Sequence, residues 1–299
     1  MILIGENLNV MVKRIGQAIK ERNPKPIQAL AVAEAEAGVD YIDINIGPAR
    51  KGGAELMSWM VEIVQEVVDL PLYLDTTNVE AVEAGLKAYK NKGGKAVINS
   101  IMCRPERMEA EIPLACKYGA GMVALLWGPE GMPRDAAERG ALAADILQRA
   151  AEAGVAGEDI WVDPIITPVN VQQNQLLEVN QFMSELGMLA EVLVPGCKST
   201  CGLSNVSNGA PENLRPILNQ TYMMMLEKFG MKSCIVDAFD KDLHDIARGK
   251  RPDIAALVHQ VVDGNEPDMA NIEKEARDYV KTAKVLLGHS LYTDSWLTI

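Results

Sequence analysis

Aromatic residues are scarce: Phe, Trp and Tyr make up 5% of the 299 residues. The sequence therefore predicts an aliphatic core. Histidine is scarcer still. His244, His259 and His289 show no ligand-type spacing with a cysteine, and the Cys197–Cys201 spacing alone does not make a zinc site, so no bound metal is expected. The five cysteines, Cys103, Cys116, Cys197, Cys201 and Cys234, are odd in number and scattered. That fits reduced thiols and a cytoplasmic protein better than a disulfide framework. Positive charge is in deficit, with 29 Lys and Arg against 41 Asp and Glu and a formal charge of -12. This argues against a nucleic-acid binder, where a basic stripe would be expected, and disfavours an anionic membrane surface. No apolar run approaches the ~18 residues of a spanning helix. The opening MILIGENLN enters a strand pattern without a basic region or cleavage site, so no signal peptide is expected.

What the chain does contain is a repeated alternation. Short apolar runs at 2–4, 39–46, 72–74, 96–98, 122–126, 160–162, 198–203 and 233–236 read as strands. Between them, helical spacing appears at 24–37, 55–68, 79–89, 105–117, 134–153, 176–186 and 213–229, with a last helix at 272–287. Alternating strands and helices imply a parallel sheet, and eight repeats in this length fit a (β/α)8 TIM barrel. An open doubly wound sheet is the competitor, but no G-x-G-x-x-G follows the first strand. No composition break marks a linker. Residues 1–299 are expected to form a single domain with extra C-terminal helices, including a helical insertion near 241–275 that contains an irregular stretch around 250–271.

The strand ends are polar. LPLYLDTTN runs an apolar strand straight into Asp75, and the pattern recurs at Asp43, Asn45, Asn99, Asp163, Asn205 and Asp237. In a barrel the C-terminal strand ends face one mouth, so these residues should converge. Oxygen-rich side chains suit a divalent metal, or a neutral heterocycle with many ring N–H and C=O groups. The three asparagines favour the heterocycle, because an aspartate accepts paired N–H bonds while amides read the remaining edges. A pterin is such a ring. Plainer roles compete: Asp75 and Asn99 as helix caps, Asp43 in a structural hydrogen bond, Asp237 as a cap and Arg215 on a helix surface. Trp127 reads as packing at the mouth and Met223–Met225 as a helix packed on the barrel. Asp242 to Ile246 approaches a cobalamin-binding D-x-H-x-x-G pattern, but Ala247 stands at the glycine position, and an acidic helix start is the better reading.

In order along the chain, IGENLN, DINIGPA, LDTTN, INS, DPIITP and GLSNVSNGAPEN resemble the motifs of the methyltetrahydrofolate:corrinoid protein methyltransferases. These are pterin-binding TIM barrels of anaerobic acetogenic and O-demethylating bacteria. The folate module of cobalamin-dependent methionine synthase is a more distant likeness. The resemblance implies transfer of a methyl group between methyltetrahydrofolate and the cobalt of a corrinoid (cobalamin) carried by a partner protein, and a homodimer. It implies that Asp75, Asn99 and Asp163 hold the amino-pyrimidine edge. It further implies that Asn205 bonds near the methyl-bearing nitrogen, and that Asp43 and Asn45 line the pocket. Asn208, Arg215 and Glu6 match further motif positions. GENLN replaces the basic GERxN form, so Asn7 stands where an arginine would. The nitrogen needs a proton or strong hydrogen bond as the methyl leaves, and Asp43 or a water are both open as its source. Dihydropteroate synthase is the nearest alternative, but neither its S-x-R-P-G-type loop nor basic strand ends are present. A non-catalytic folate-binding module is the other.

Overall fold

The computed structural model describes residues 1–298. Eight strands lie parallel in one sheet: β1 (Ile2–Gly5), β2 (Tyr41–Asn45), β3 (Leu72–Asp75), β4 (Val97–Met102), β5 (Gly121–Leu125), β6 (Ile160–Asp163), β7 (Lys198–Ser199) and β8 (Ser233–Val236). Their order is β7-β6-β5-β4-β3-β2-β1-β8. The edges meet where Gly202 bridges Ile235, whose N–H donates to the Cys201 carbonyl at 2.8 Å. The result is the expected (β/α)8 barrel.

The surrounding helices are α1 (Lys13–Lys20), α2 (Pro24–Ala37), α3 (Gly53–Gln65), α4 (Val79–Ala88), α5 (Pro105–Tyr118), α6 (Ala136–Glu152), α7 (Val169–Leu193), α8 (Arg215–Lys228), α9 (Lys241–Ala247), α10 (Pro252–Val262) and α11 (Lys274–Leu286). Their ends follow local chemistry. The side chain of Asn23 accepts from the Lys25 N–H to start α2, whose first turn is preset by Pro24 and Pro26. Gly38 ends α2 in the left-handed region at φ 95°. Asn78 accepts from Glu80 and Ala81 at the start of α4. The capping role therefore falls to Asn78, and Asp75 is left free for the mouth.

Several expectations need correcting. Helix α1 was not anticipated, although Ile15, Ala18 and Ile19 are buried at helical spacing. Gly16 sits inside it because a Cβ there would collide with the Val10 carbonyl. Helix α7 begins directly after Pro168 and runs to Leu193, well beyond 176–186, with non-helical angles at Gln172. Strand β7 keeps only Lys198–Ser199, because Leu203–Ser207 winds into a 3₁₀ turn. The stretch around 250–271 is not wholly irregular: it holds α10, opened by Pro252.

The apolar interior has two parts. The larger lies between sheet and helices and is aliphatic and methionine-rich, with Met57, Met60, Met108, Met122 and Met223–Met225 all buried. The smaller fills the barrel itself: Ile4, Tyr73, Val97, Val123, Trp161 and Ile235, with Ile2 and Tyr41 packed on it. Here the aliphatic expectation fails. Tyr41, Tyr73 and Trp161 meet edge to face with centroids 5.3–6.4 Å apart, because large rings span a barrel interior that short aliphatic side chains would leave void.

Candidate functional site

Strand periodicity and register build the site. Alternate residues share a face, so Tyr41, Asp43 and Asn45 on β2 all point inward, as do Tyr73 and Asp75 on β3 and Trp161 and Asp163 on β6. The register sets Asn45 beside Asp75 and Asp75 beside Asn99 across three strands. A row of amide, carboxylate and amide therefore stands directly above the aromatic plug. Asn45 Nδ2–H donates to Asp75 Oδ2, and Asn45 Oδ1 accepts from the Gly47 N–H at 2.9 Å, which fixes the orientation of that amide. Asn99 Nδ2–H donates to Asp43 Oδ1 at 2.9 Å. Asp163 Oδ1 accepts from the Ile165 N–H at 2.8 Å.

These side chains enclose an inner cavity of about 240 Å³, lined by Asp43, Asn45, Asp75, Asn99 and Asp163 together with Glu6, Asn9 and Asn205 at its upper rim. Leu125, Ile165, Ile166 and Ile235 supply apolar walls. A wider outer cavity of about 1240 Å³ continues from it, with Glu6, Asn9 and Asn205 common to both. Asn208, Arg215 and Asp237 line the outer cavity only.

Burial dominates the electrostatics. Asp43 is 3% exposed, and its carboxyl is held well above the usual range by desolvation first and by neighbouring Asp75 second. Desolvation also lifts Asp75 to about 7, against the hydrogen bond from Asn45. Asp163 is lifted to about 6 for the same reason, against backbone bonds from Ile165 and Gly202. The free site thus holds several carboxyls that exchange protons near neutrality. A ligand presenting paired N–H donors would draw them into the ionised state.

The remaining expectations divide. Asn205 is exposed at the rim, its amide folded over Gly202 where a side chain would crowd it. Asp237 Oδ1 accepts from Asn7 Nδ2–H at 2.9 Å and from the Phe239 N–H at 3.0 Å, so it ties the turn after β8 to the turn after β1. Arg215 Nε–H donates to Ser207 Oγ at 3.2 Å and also lies 3.7 Å from Glu212. Asn208 is exposed. Among the described residues, no group of three or more His, Cys, Asp and Glu side chains is arranged to hold a metal ion. His244 lies in α9, whose acidic start is capped by Asp240.

Two supporting residues carry no motif that marks them as functional. Arg139 is fully buried in α6, where its guanidinium donates to the Pro164 carbonyl at 2.9 Å and to Gln175 Oε1 at 2.9 Å. It thereby pins the turn that carries Asp163. The signal was present, since Ala136, Arg139, Ala143, Ile146 and Ala150 form one helical stripe. Glu34 on α2 is also fully buried and approaches the Asn7 and Leu8 amides without closing a hydrogen bond of ordinary geometry. Desolvation lifts it to about 8. Gly5 makes this possible, because any Cβ there would strike the Glu34 carboxyl.

Comparison with known proteins agrees with this geometry. Residues 5–237 match the family described as pterin binding enzyme. A methylcorrinoid:tetrahydrofolate methyltransferase of Eubacterium limosum is 30% identical over 245 residues, covering 81% of this chain and 87% of that protein. Methionine synthase of Mycobacterium leprae is 24% identical over 249 residues, which is 80% of this chain but 20% of that longer enzyme. Among solved structures, dihydropteroate synthase of Stenotrophomonas maltophilia superposes with a TM-score of 0.61 at 17% identity, covering 84% of this chain and 92% of that one. The Xanthomonas albilineans enzyme in complex with 7,8-dihydropteroate gives 0.58 at 18% identity, covering 84% and 92%. At these identities the structural likeness speaks for the fold.

Proposed function

The chain belongs to the family of pterin-binding enzymes, and from that premise we propose that it is a methyltransferase moving a methyl group between methyltetrahydrofolate and the cobalt of a corrinoid carried by a partner protein. The similarity to the Eubacterium limosum methyltransferase supports the reaction class. The observation that carries the reading is the inner cavity, where Asn45, Asp75, Asn99 and Asp163 present carboxylates and amides above an apolar floor. That is a polar edge for an amino-pyrimidine and a dry seat for the fused ring. In this reading Asp75, Asn99 and Asp163 take the amino-pyrimidine edge, with Asn45 orienting Asp75. Asp43, braced by Asn99, takes part from the inner wall. Asn205 reaches over the ring towards the methyl-bearing nitrogen, where its amide can accept from a protonated nitrogen and stabilise charge as it develops. Glu6, Asn208 and Arg215 border the route by which folate enters and the corrinoid approaches.

The dihydropteroate synthase alternative is weaker. A diphosphate leaving group calls for cations, and no Lys or Arg lines the inner cavity among the described residues. We also take the protein to be a cytoplasmic homodimer of an anaerobic bacterium. Five free thiols support the reducing compartment, and the exposed Leu177, Met188 and Val192 of α7 support a covered face. No helix among the described residues is long and apolar enough to cross a membrane. Helices α9 to α11 follow the residues matched to the family, which supports treating 241–275 as an addition to a single barrel domain. The test mixes the full chain with methyltetrahydrofolate and cob(I)alamin and follows methylcobalamin formation by absorbance. Absence of product with both free and protein-bound corrinoid would sink the enzyme reading, and folate binding without turnover would leave a binding module.

A further inference from the structure

Glu6, Asn9 and Asn205 are the residues shared by the inner and outer cavities. They form the throat at which a ring seated against Asp75, Asn99 and Asp163 would meet a corrinoid arriving from solvent. Displacement of a methyl group from an amine nitrogen requires a proton at that nitrogen, because an amide anion is too basic a leaving group. The two asparagines have no acidic proton to give near neutral pH. Glu6 has one. Ser204 Oγ–H donates to Glu6 Oε1 at 2.5 Å, which holds the carboxyl in the throat. Its other oxygen makes no side-chain hydrogen bond among the described residues. Asp43, the sequence candidate for this step, lines the inner cavity alone and has Oδ1 engaged by Asn99.

We propose, on the methyl-transfer reading above, that Glu6 is the general acid that protonates the pterin nitrogen as the methyl group leaves. The carbon–nitrogen bond breaks with its electron pair remaining on nitrogen. The carbon bonds to the cobalt nucleophile through the electron pair of the latter, and the Glu6 O–H proton passes to the nitrogen. In the opposite direction the Glu6 carboxylate recovers that proton from the ring N–H. Burial raises Glu6 above the ordinary glutamate range; the Ser204 hydrogen bond opposes this, Asp237 adds to it and Arg215 draws it down. Glu34 on α2 and Asp43 on β2 face the same group. The acid is therefore poised to keep its proton closer to neutral pH than an exposed glutamate would.

The test measures methyl transfer from methyltetrahydrofolate to free cob(I)alamin between pH 5 and 9, with folate affinity measured in parallel. The wild-type rate should fall as pH rises through the Glu6 titration. Glu6→Gln should slow transfer by ~100-fold or more, leave folate affinity within about threefold, and abolish that limb of the profile. Ser204→Ala, which removes the hydrogen bond favouring the carboxylate, should move the limb to higher pH. A Glu6→Gln protein that retains the limb, or that loses rate and affinity in equal proportion, would overturn the assignment. So would a Ser204→Ala profile that stays in place. A wild-type chain that binds folate but transfers no methyl group would remove the reaction itself, a result separable from any of these.

Discussion

On β2, β3 and β6 the same inward face carries an aromatic ring and then, two residues on, an aspartate: Tyr41 and Asp43, Tyr73 and Asp75, Trp161 and Asp163. The lower layer excludes water. Tyr73 and Trp161 are 0% and 2% exposed, and Lys198 closes the end with its ammonium 4.3 Å from the Trp161 ring. The upper layer must admit water and ligand, yet it rests on that dry floor. The floor is part of the burial that perturbs the mouth, since desolvation is the largest cause of the raised pKa at Asp43, Asp75 and Asp163. Packing below and acid–base behaviour above are one construction.

Trp161→Ala should cost about 3–5 kcal/mol of stability in denaturant unfolding. By letting water under the mouth it should also move the pH midpoint of folate binding downward, and an unmoved midpoint would separate floor from mouth. Removing an acid from the upper layer is the next largest effect. Asp75→Ala should weaken folate binding by about 2–3 kcal/mol in calorimetry, because a charge-assisted bond is lost; unchanged affinity would take Asp75 out of the ring site. Asn205→Ala should lose ~10²-fold in transfer rate, about 2.7 kcal/mol, with little change in affinity. Equal losses in rate and affinity would make it a binding group only.

Asp75 stands at about 7 and Asp163 at about 6 in the free protein, and the ring's N–H groups need ionised acceptors. Folate affinity should therefore fall roughly 20-fold, about 1.8 kcal/mol, from its high-pH plateau to pH 6. A flat calorimetric profile would contradict this. Glu34 acts on stability alone. Its folded value of about 8 exceeds the unfolded 4.5, so the native state binds the proton more tightly. Its contribution is complete below about pH 4.5 and is lost as pH rises towards 8. Glu34→Gln should flatten the fall in melting temperature between pH 5 and 8, removing a dependence of about 3 kcal/mol.

Much of this molecule could be read along the chain. Apolar runs ending in Asp or Asn marked the strands, and the two-residue period put Asp43 and Asn45 on one face. The buried ring of Asp43, Asn99 and Asp163 followed from the barrel rule. Arg139 and Glu34 were harder, because a charge on a helix looks solvated until its face is known to be buried. The short α1 was obscured by Gly16, and β7 was overextended because an apolar run does not distinguish a strand from a 3₁₀ turn.

The repeat of strand and helix, the polar strand ends and the family they mark are legible along the chain, because periodicity and short motifs are local properties. The closed fold alone makes three of its few aromatic rings the floor of the barrel, sets Asn45, Asp75 and Asn99 side by side, and puts Glu6 at the throat between two cavities. Those relations depend on register and closure across residues tens to hundreds of positions apart, and burial, which sets the acid–base character of the mouth, exists only once the barrel has closed.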